Sequence, residues 1–257
     1  MARAAASAGL GDYPRQCGRD LVVLVLGVGE REAMGLPGDD ESASSGRRYL
    51  VWAQIILVFL FLELALWAPT RQIRNRWAAV VAVTILVLIL LDALTDRSSL
   101  HRLGLGLPKI FGASVVLGIG LAAAAIAVIL VKLMGGQVPA NPTWFPNLRS
   151  VWGYVIWALI QEFILQSFFF IRFEQLYGGS KAVWMAATLF SVAHLPSPVL
   201  TVATLVGALF FCEMFRRYRN IYSLGIAHAM LGLTIAFVVP DSLLHHMRVG
   251  LGYLRYR

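Results

Sequence analysis

The sequence predicts an all-α protein, a polytopic transmembrane helical bundle of about seven to eight membrane segments. Three observations carry that prediction. Of 257 residues, 58% are hydrophobic and only 14% are charged, the balance of a membrane chain rather than of a soluble domain. The apolar residues fall into successive runs, most of them near the ~20 residues that a helix needs to cross the hydrocarbon core. Basic residues gather at the ends of those runs, as in Arg71, Arg74 and Arg76 or Arg216, Arg217 and Arg219. Such placement suits contact with anionic headgroups. The net charge of +8 is therefore read as contact with the lipid bilayer, and no nucleic-acid partner is expected. Cys17 and Cys212, the only cysteines, give no disulfide framework and no cysteine metal site.

Residues 1–49 are rich in Gly, Ala, Ser and charge. Their one apolar fragment, Leu21 to Leu26, is too short to span, and a signal peptide would need a longer core followed by a small-residue cleavage site. They are expected to form a polar, weakly ordered leader, and residues 50–257 a transmembrane helical domain. The first span runs from about Leu50 to Ala68 and the second from about Trp77 to Leu94. Their acids, Glu63 and Asp92, lie near the interface, where snorkelling accounts for them. A connection from Thr95 to Lys109 is expected to be an interfacial helix or loop. The third span, about Phe111 to Met134, is rich in Gly and Ala, which suits close helix packing.

A loop follows from Gly135 to Ser150, with Pro139, Asn141, Pro142, Trp144 and Pro146. The fourth span, about Val151 to Phe173, carries Gln161, Glu162 and Gln166. The fifth, about Lys181 to Leu195, is stopped by Pro196 and Pro198 and is short for a perpendicular crossing, so His194 is expected at an embedded cavity. The sixth covers Val199 to Phe215 and the seventh Ile221 to Val239, with His228 inside it. The tail with His245, His246 and Arg248 is expected at the interface, its histidines on the surface. Counting basic clusters at Arg47/Arg48, Arg97/Arg102/Lys109, Arg172/Lys181 and Arg216/Arg217/Arg219 against Arg71/Arg74/Arg76 favours a cytoplasmic N-terminus. A bacterial inner (plasma) membrane is the expected location.

Glu162, His194 and His228 are the residues that hydrocarbon-like sequence does not explain. An acid at the centre of a membrane helix costs roughly 2.5–3.5 kcal/mol on insertion scales, and such groups face a partner or a water-filled cavity. A carboxylate and two imidazoles are also what acid/base hydrolysis or metal binding requires. Residues four apart share a helix face, so Gln166 points with Glu162 while Gln161 lies to one side. Phe190 stands one turn before His194, and Gly225 and Gly232 flank His228, where they admit a neighbouring helix or a substrate backbone. Taken singly, Glu162 also suits a structural interhelical hydrogen bond, His194 an interfacial position and Phe190 core packing. Arg172 is expected to snorkel, with a charge partnership in the site as the alternative.

In that order and in successive apolar segments, these residues resemble the CPBP family of intramembrane proteases, which includes the CAAX-processing enzymes. The family pattern is Glu-Glu-x-x-x-Arg, then Phe-x-x-x-His, then His-x-x-x-Asn or a similar residue. The matching stretches are Gln161 to Gln166, Phe190 to His194 and His228 to Gly232, within a CPBP-like core of about 103–239. Glu162, Phe190, His194 and His228 match strictly; Gln161, Gln166 and Gly232 depart. Keeping one acid and both histidines in apolar sequence favours a variant active site over a decayed one.

The resemblance implies an intramembrane endopeptidase acting on a membrane-anchored protein or peptide. Glu162 is expected to act as general base on a water, because its neighbour Gln161 cannot ionise. His194 and His228 are expected to orient that water or to stabilise the oxyanion, with Gln161, Gln166 and Phe190 in support. No cofactor is expected; the alternative is zinc held by Glu162, His194 and His228, a known type of catalytic set. Neither His-Glu-x-x-His nor Gly-x-Ser-x-Gly occurs, which removes the commonest zinc-protease and serine-hydrolase signatures. The competing functions are an inactive membrane immunity or binding protein of the same fold and, third, a proton-coupled transporter.

Overall fold

The computed structural model describes residues 39–95, 99–135 and 147–256. The predicted leader lies outside the described residues up to residue 38, and the Pro/Asn/Trp loop lies outside them from 136 to 146. Residues 48–257 form one compact unit, and the packing described below lies within it.

Among the described residues there are helices and connecting turns but no strand. In order come α1 (Asp39–Leu66), α2 (Arg71–Thr95), the short α3 (Ser99–Arg102), α4 (Ile110–Leu133) and α5 (Leu148–Glu162). Then α5 runs on through a π-helical stretch (Phe163–Phe170) into α6 (Ile171–Tyr177). After these come α7 (Gly179–Val192), α8 (Pro198–Tyr218), α9 (Ile221–Val238), and a tail with α10 (Asp241–Leu244), a 3-10 turn (His245–Met247) and α11 (Leu251–Leu254).

Six helical stretches are long and apolar enough to cross a membrane: Ser45–Leu66, Arg71–Leu91, Ile110–Leu133, Leu148–Tyr177, Pro198–Tyr218 and Ile221–Val238. The chain is an integral membrane protein of helical-bundle type. All seven predicted apolar runs are helical, but the fifth, α7, has only 14 residues. At 1.5 Å per residue it reaches roughly 21 Å, less than the hydrocarbon thickness. It ends in a tight turn in which His194 N–H donates to Ser191 O at 2.9 Å and Ser197 N–H to His194 O at 3.1 Å. Ser197 then caps α8, accepting from Leu200 N–H, with Pro198 in the first turn, where its missing N–H does no harm.

At the centre, α9 packs against α4, α5 and α8, while α7 and α8 form a hairpin beside the π-helical stretch. The glycines of α9 set how close these helices come. A Cβ on Gly225 would overlap the Leu159 side chain and stand 3.1 Å from the Leu159 Cα, so α5 and α9 touch backbone to side chain there. A Cβ on Gly120 of α4 would stand 3.3 Å from the Ala227 Cβ, a tight but less severe approach.

The fourth span departs from the single α-helix predicted over about 151–173. Eight residues, Phe163–Phe170, take the wider π turn, and every residue from Leu165 to Phe173 is buried. A segment buried on all sides has no solvent face to hold a register, so its neighbours decide the winding. Phe168 meets Phe169 edge to face at 5.0 Å, Phe170 meets Phe215 at 5.5 Å, and Phe59 meets Phe169 at 6.5 Å. Ser167 Oγ donates to Leu103 O at 2.7 Å, which draws the 103–106 connection into the bundle; Leu103 is buried rather than interfacial.

Two sequence expectations are corrected by packing. Arg172 does not snorkel: it is 1% exposed, its Nε donates to Gln54 Oε1 at 3.0 Å, and its guanidinium lies 4.1 Å from the Phe168 ring centre. Glu63, near the end of α1, accepts from Trp67 Nε1 at 3.0 Å. His245 and His246 are half-buried rather than on the surface. His245 stacks on Tyr253 at 4.3 Å and on Tyr256 at 5.0 Å, and His246 Nδ1 stands 2.9 Å from Asp241 Oδ2.

Candidate active site

Glu162 is the last residue of α5 before the winding changes. Its side chain is completely buried, and both carboxylate oxygens are taken by protein. Gln166 Nε2 donates to Oε2 at 3.0 Å, and Oε1 lies 2.9 Å from Nδ1 of His228 on α9. Gln166 is the residue one turn on, as the spacing predicted; across the 66 residues separating them in sequence, His228 is brought in by the close approach of α5 and α9. The ring of His228 is stacked on Phe211 of α8, with centres 5.3 Å apart and planes 15° from parallel. Phe211 and a fully buried Cys212, whose thiol contacts the Gln166 amide, form the floor.

His194 approaches from the end of α7. Its Nδ1 is 2.7 Å from Phe190 O, and its ring packs on the Phe190 ring at 4.7 Å. Phe190 also meets His228 edge on at 6.1 Å. The phenyl ring thus stands between the two imidazoles and sets their separation. Of the predicted residues, Glu162, Gln166 and His228 form one hydrogen-bonded cluster, while His194 joins it through Phe190. Gln161 is half-buried beside the cluster.

Partners dictate the ring tautomers. A backbone carbonyl only accepts, so His194 carries its proton on Nδ1 and offers a lone pair on Nε2. Glu162 when ionised likewise only accepts, so His228 donates from Nδ1 and offers Nε2. The zinc alternative needs Glu162, His194 and His228 to point at one centre. Instead Oε1 of Glu162 and Nδ1 of His228 face each other, and among the described residues no group of three or more His, Cys, Asp or Glu side chains is arranged to hold a metal ion.

Residues 143–234 match the family described as type II CAAX prenyl endopeptidase, Rce1-like. Residues 143–234 are similar to that family. This Rce1-like stretch begins just before α5 and ends inside α9, and it contains Glu162, Gln166, Phe190, His194 and His228. No curated protein and no solved structure matches the chain. The family is one of CAAX-protease-type endopeptidases, so the Rce1-like core implies a protease of the membrane.

Two residues beside the candidate site escape sequence reasoning. Phe211 is one aromatic among several in an apolar run, with no signal to separate it from core packing. Tyr154 stands two turns before Glu162 on the side of α5 that meets α9, and its hydroxyl fills the space over Gly232. Its one sequence signal is a polar-tipped side chain within an apolar helix. An apolar recess of about 440 Å³ on α1, α6 and α7, lined by Trp52, Phe59, Phe173 and Trp184 among others, includes none of the site residues.

Proposed function

We propose that this protein is an intramembrane endopeptidase that hydrolyses a peptide bond of a membrane-anchored protein or peptide, with His228 as general base and Glu162 as the carboxylate that orients and charges it. The observation that carries this reading is the buried Glu162–His228 pair at 2.9 Å inside the Rce1-like stretch. A carboxylate whose two oxygens are both held by protein is poorly placed to take a proton from water. An imidazole whose Nδ1–H is held by that carboxylate has the right tautomer and a stabilised imidazolium. The division of labour therefore differs from the one expected from the sequence, in which Glu162 itself takes the proton from water.

In the first step the water oxygen bonds to the carbonyl carbon and its proton passes to His228 Nε2. In the second the C–N bond breaks, and His228 returns that proton to the leaving amine. His194, with Nε2 as an acceptor, orients the water. Gln166 locks the carboxylate, and Phe190 spaces the two imidazoles. This scheme calls for no metal or organic cofactor.

The basic end of α8, with Arg216 and Arg217, lies beside the end of α6 and the 104–106 connection through Arg219–Glu174 and Ile221–Gly104, and Arg48 of α1 stands over the Tyr177 ring at the same end, which supports a cytoplasmic N-terminus. The departures at Gln161, Gln166 and Gly232 keep one competitor alive, a membrane immunity or binding protein of the same fold without turnover. One comparison separates the two readings. Membrane proteomes of cells carrying wild type and Glu162→Gln are expected to differ by a membrane-anchored protein that stays unprocessed in the variant. Identical processing in both strains refutes the endopeptidase.

A further inference from the structure

The tautomers leave the hydrolysis short of a donor. With Nδ1 of each histidine engaged, by Phe190 O at 2.7 Å and by Glu162 Oε1 at 2.9 Å, both imidazoles present lone pairs to the reacting centre. Gln166 has its amide nitrogen on Glu162. None of these groups donates to a carbonyl oxygen that is becoming an oxyanion, and such a donor is commonly the largest single electrostatic term in acyl transfer.

One hydroxyl stands on the His228 face of α9, a turn beyond that histidine. Gly232 lies one turn beyond His228 on α9 and is buried. A Cβ built on it would overlap the Tyr154 hydroxyl oxygen outright, with the ring carbons Cζ and Cε1 at 2.8 and 3.0 Å. The volume that a side chain at 232 would fill beside His228 is thus occupied from the opposite helix by a phenol. Between Tyr154 and Glu162 on α5 lies Ala158, fully buried and small, so no bulky side chain of α5 separates the hydroxyl from the pair.

We infer that Tyr154 is a further catalytic residue, whose hydroxyl donates a hydrogen bond to the scissile carbonyl oxygen, and that Gly232 is the notch that admits it. This rests on the endopeptidase reading. As water adds to the carbonyl carbon and its proton moves to His228 Nε2, the electron pair on the carbonyl oxygen is held by the Tyr154 O–H. When the C–N bond breaks, the carbonyl re-forms and Tyr154 retains its proton throughout.

The test uses the full chain in lipid vesicles and an internally quenched peptide carrying an S-farnesyl cysteine near its C-terminus. A phosphonamidate of the same peptide serves as a mimic of the tetrahedral intermediate. Tyr154→Phe is expected to lower kcat about 10²- to 10³-fold, with KM changed less than about threefold, and to weaken the phosphonamidate but not the peptide. The swap Tyr154→Ala with Gly232→Asn, which returns a donor from the other helix, is expected to recover part of the lost kcat. A Tyr154→Phe enzyme with wild-type kcat beside an inactive Glu162→Gln overturns the role of Tyr154 alone. Full turnover in Glu162→Gln overturns the underlying reading. Should the wild type turn over no peptide, the phosphonamidate decides: equal affinity for Tyr154→Phe and wild type overturns the inference.

Discussion

Glu162 makes its two hydrogen bonds because a buried carboxylate without partners is expensive, more so than a buried neutral group. Gln166 supplies one of them from a helical turn away. Replacing it by leucine keeps the volume and removes the donor, leaving Oε2 buried and unpaired. Gln166→Leu is expected to destabilise the folded protein by about 1–3 kcal/mol, read as an earlier midpoint in thermal unfolding in detergent, together with reduced cleavage. An unchanged midpoint would mean that water replaces the amide. The spacing from Glu162 to Gln166 was legible in the sequence as two polar residues on one helix face. The bond from Glu162 to His228 was not, because nothing in either segment says which of several apolar helices lies opposite.

At the scale of elements, the site depends on how closely α5 and α9 approach. Gly225 allows the contact with Leu159, one turn from the Glu162–His228 bond. Gly225→Ala should force the helices apart, cost about 1–3 kcal/mol as overpacking does, and lower turnover by lengthening that bond. Leu159→Ala in the same chain should restore much of both, measured by unfolding and by cleavage of the quenched peptide. If the single variant matches wild type, the two helices are not held by that contact. The sequence pointed to these glycines as places of close approach but left the visitor open, a helix or a substrate backbone. The structure assigns them to α5. The π-helical stretch was invisible, since Phe163–Phe170 reads as a good α-helical run and its winding answers to residues as far away as Leu103 and Phe215.

On the scale of the whole molecule, long-range ties hold the two ends of the bundle. At one end Arg219 Nη2 binds both Glu174 oxygens, at 2.5 and 2.7 Å. There too Ile221 N–H donates to Gly104 O at 3.1 Å and Asn220 Nδ2 to Gly106 O at 3.3 Å. The other end is closed by the tail. Gly250 N–H donates to Leu195 O at 2.8 Å, beside His194, and Arg255 Nη1 donates to Pro69 O at 2.6 Å. Gly250 has φ +55°, and a Cβ there would overlap Leu66 O and lie 2.8 Å from its carbonyl carbon. Gly250→Val should therefore detach the tail from the His194 turn. The expected result is a cost of about 1–3 kcal/mol, in the range of backbone strain, and slower cleavage with unchanged membrane insertion. Wild-type turnover in that variant would show that the His194 turn stands without the tail.

By itself the sequence determined the membrane-spanning helical bundle, the order of its apolar runs and the residues that do not belong in hydrocarbon. Each of these is written locally, in run length, hydropathy and the cost of a polar group in apolar surroundings. Tertiary structure alone decided that Glu162 is clasped by Gln166 and His228, that Phe190 separates the imidazoles, that Arg172 is buried against Gln54, and that Tyr154 fills the gap left at Gly232. Those outcomes depend on which helix faces which and at what distance, and side-chain contacts between helices are set by packing that no single segment encodes.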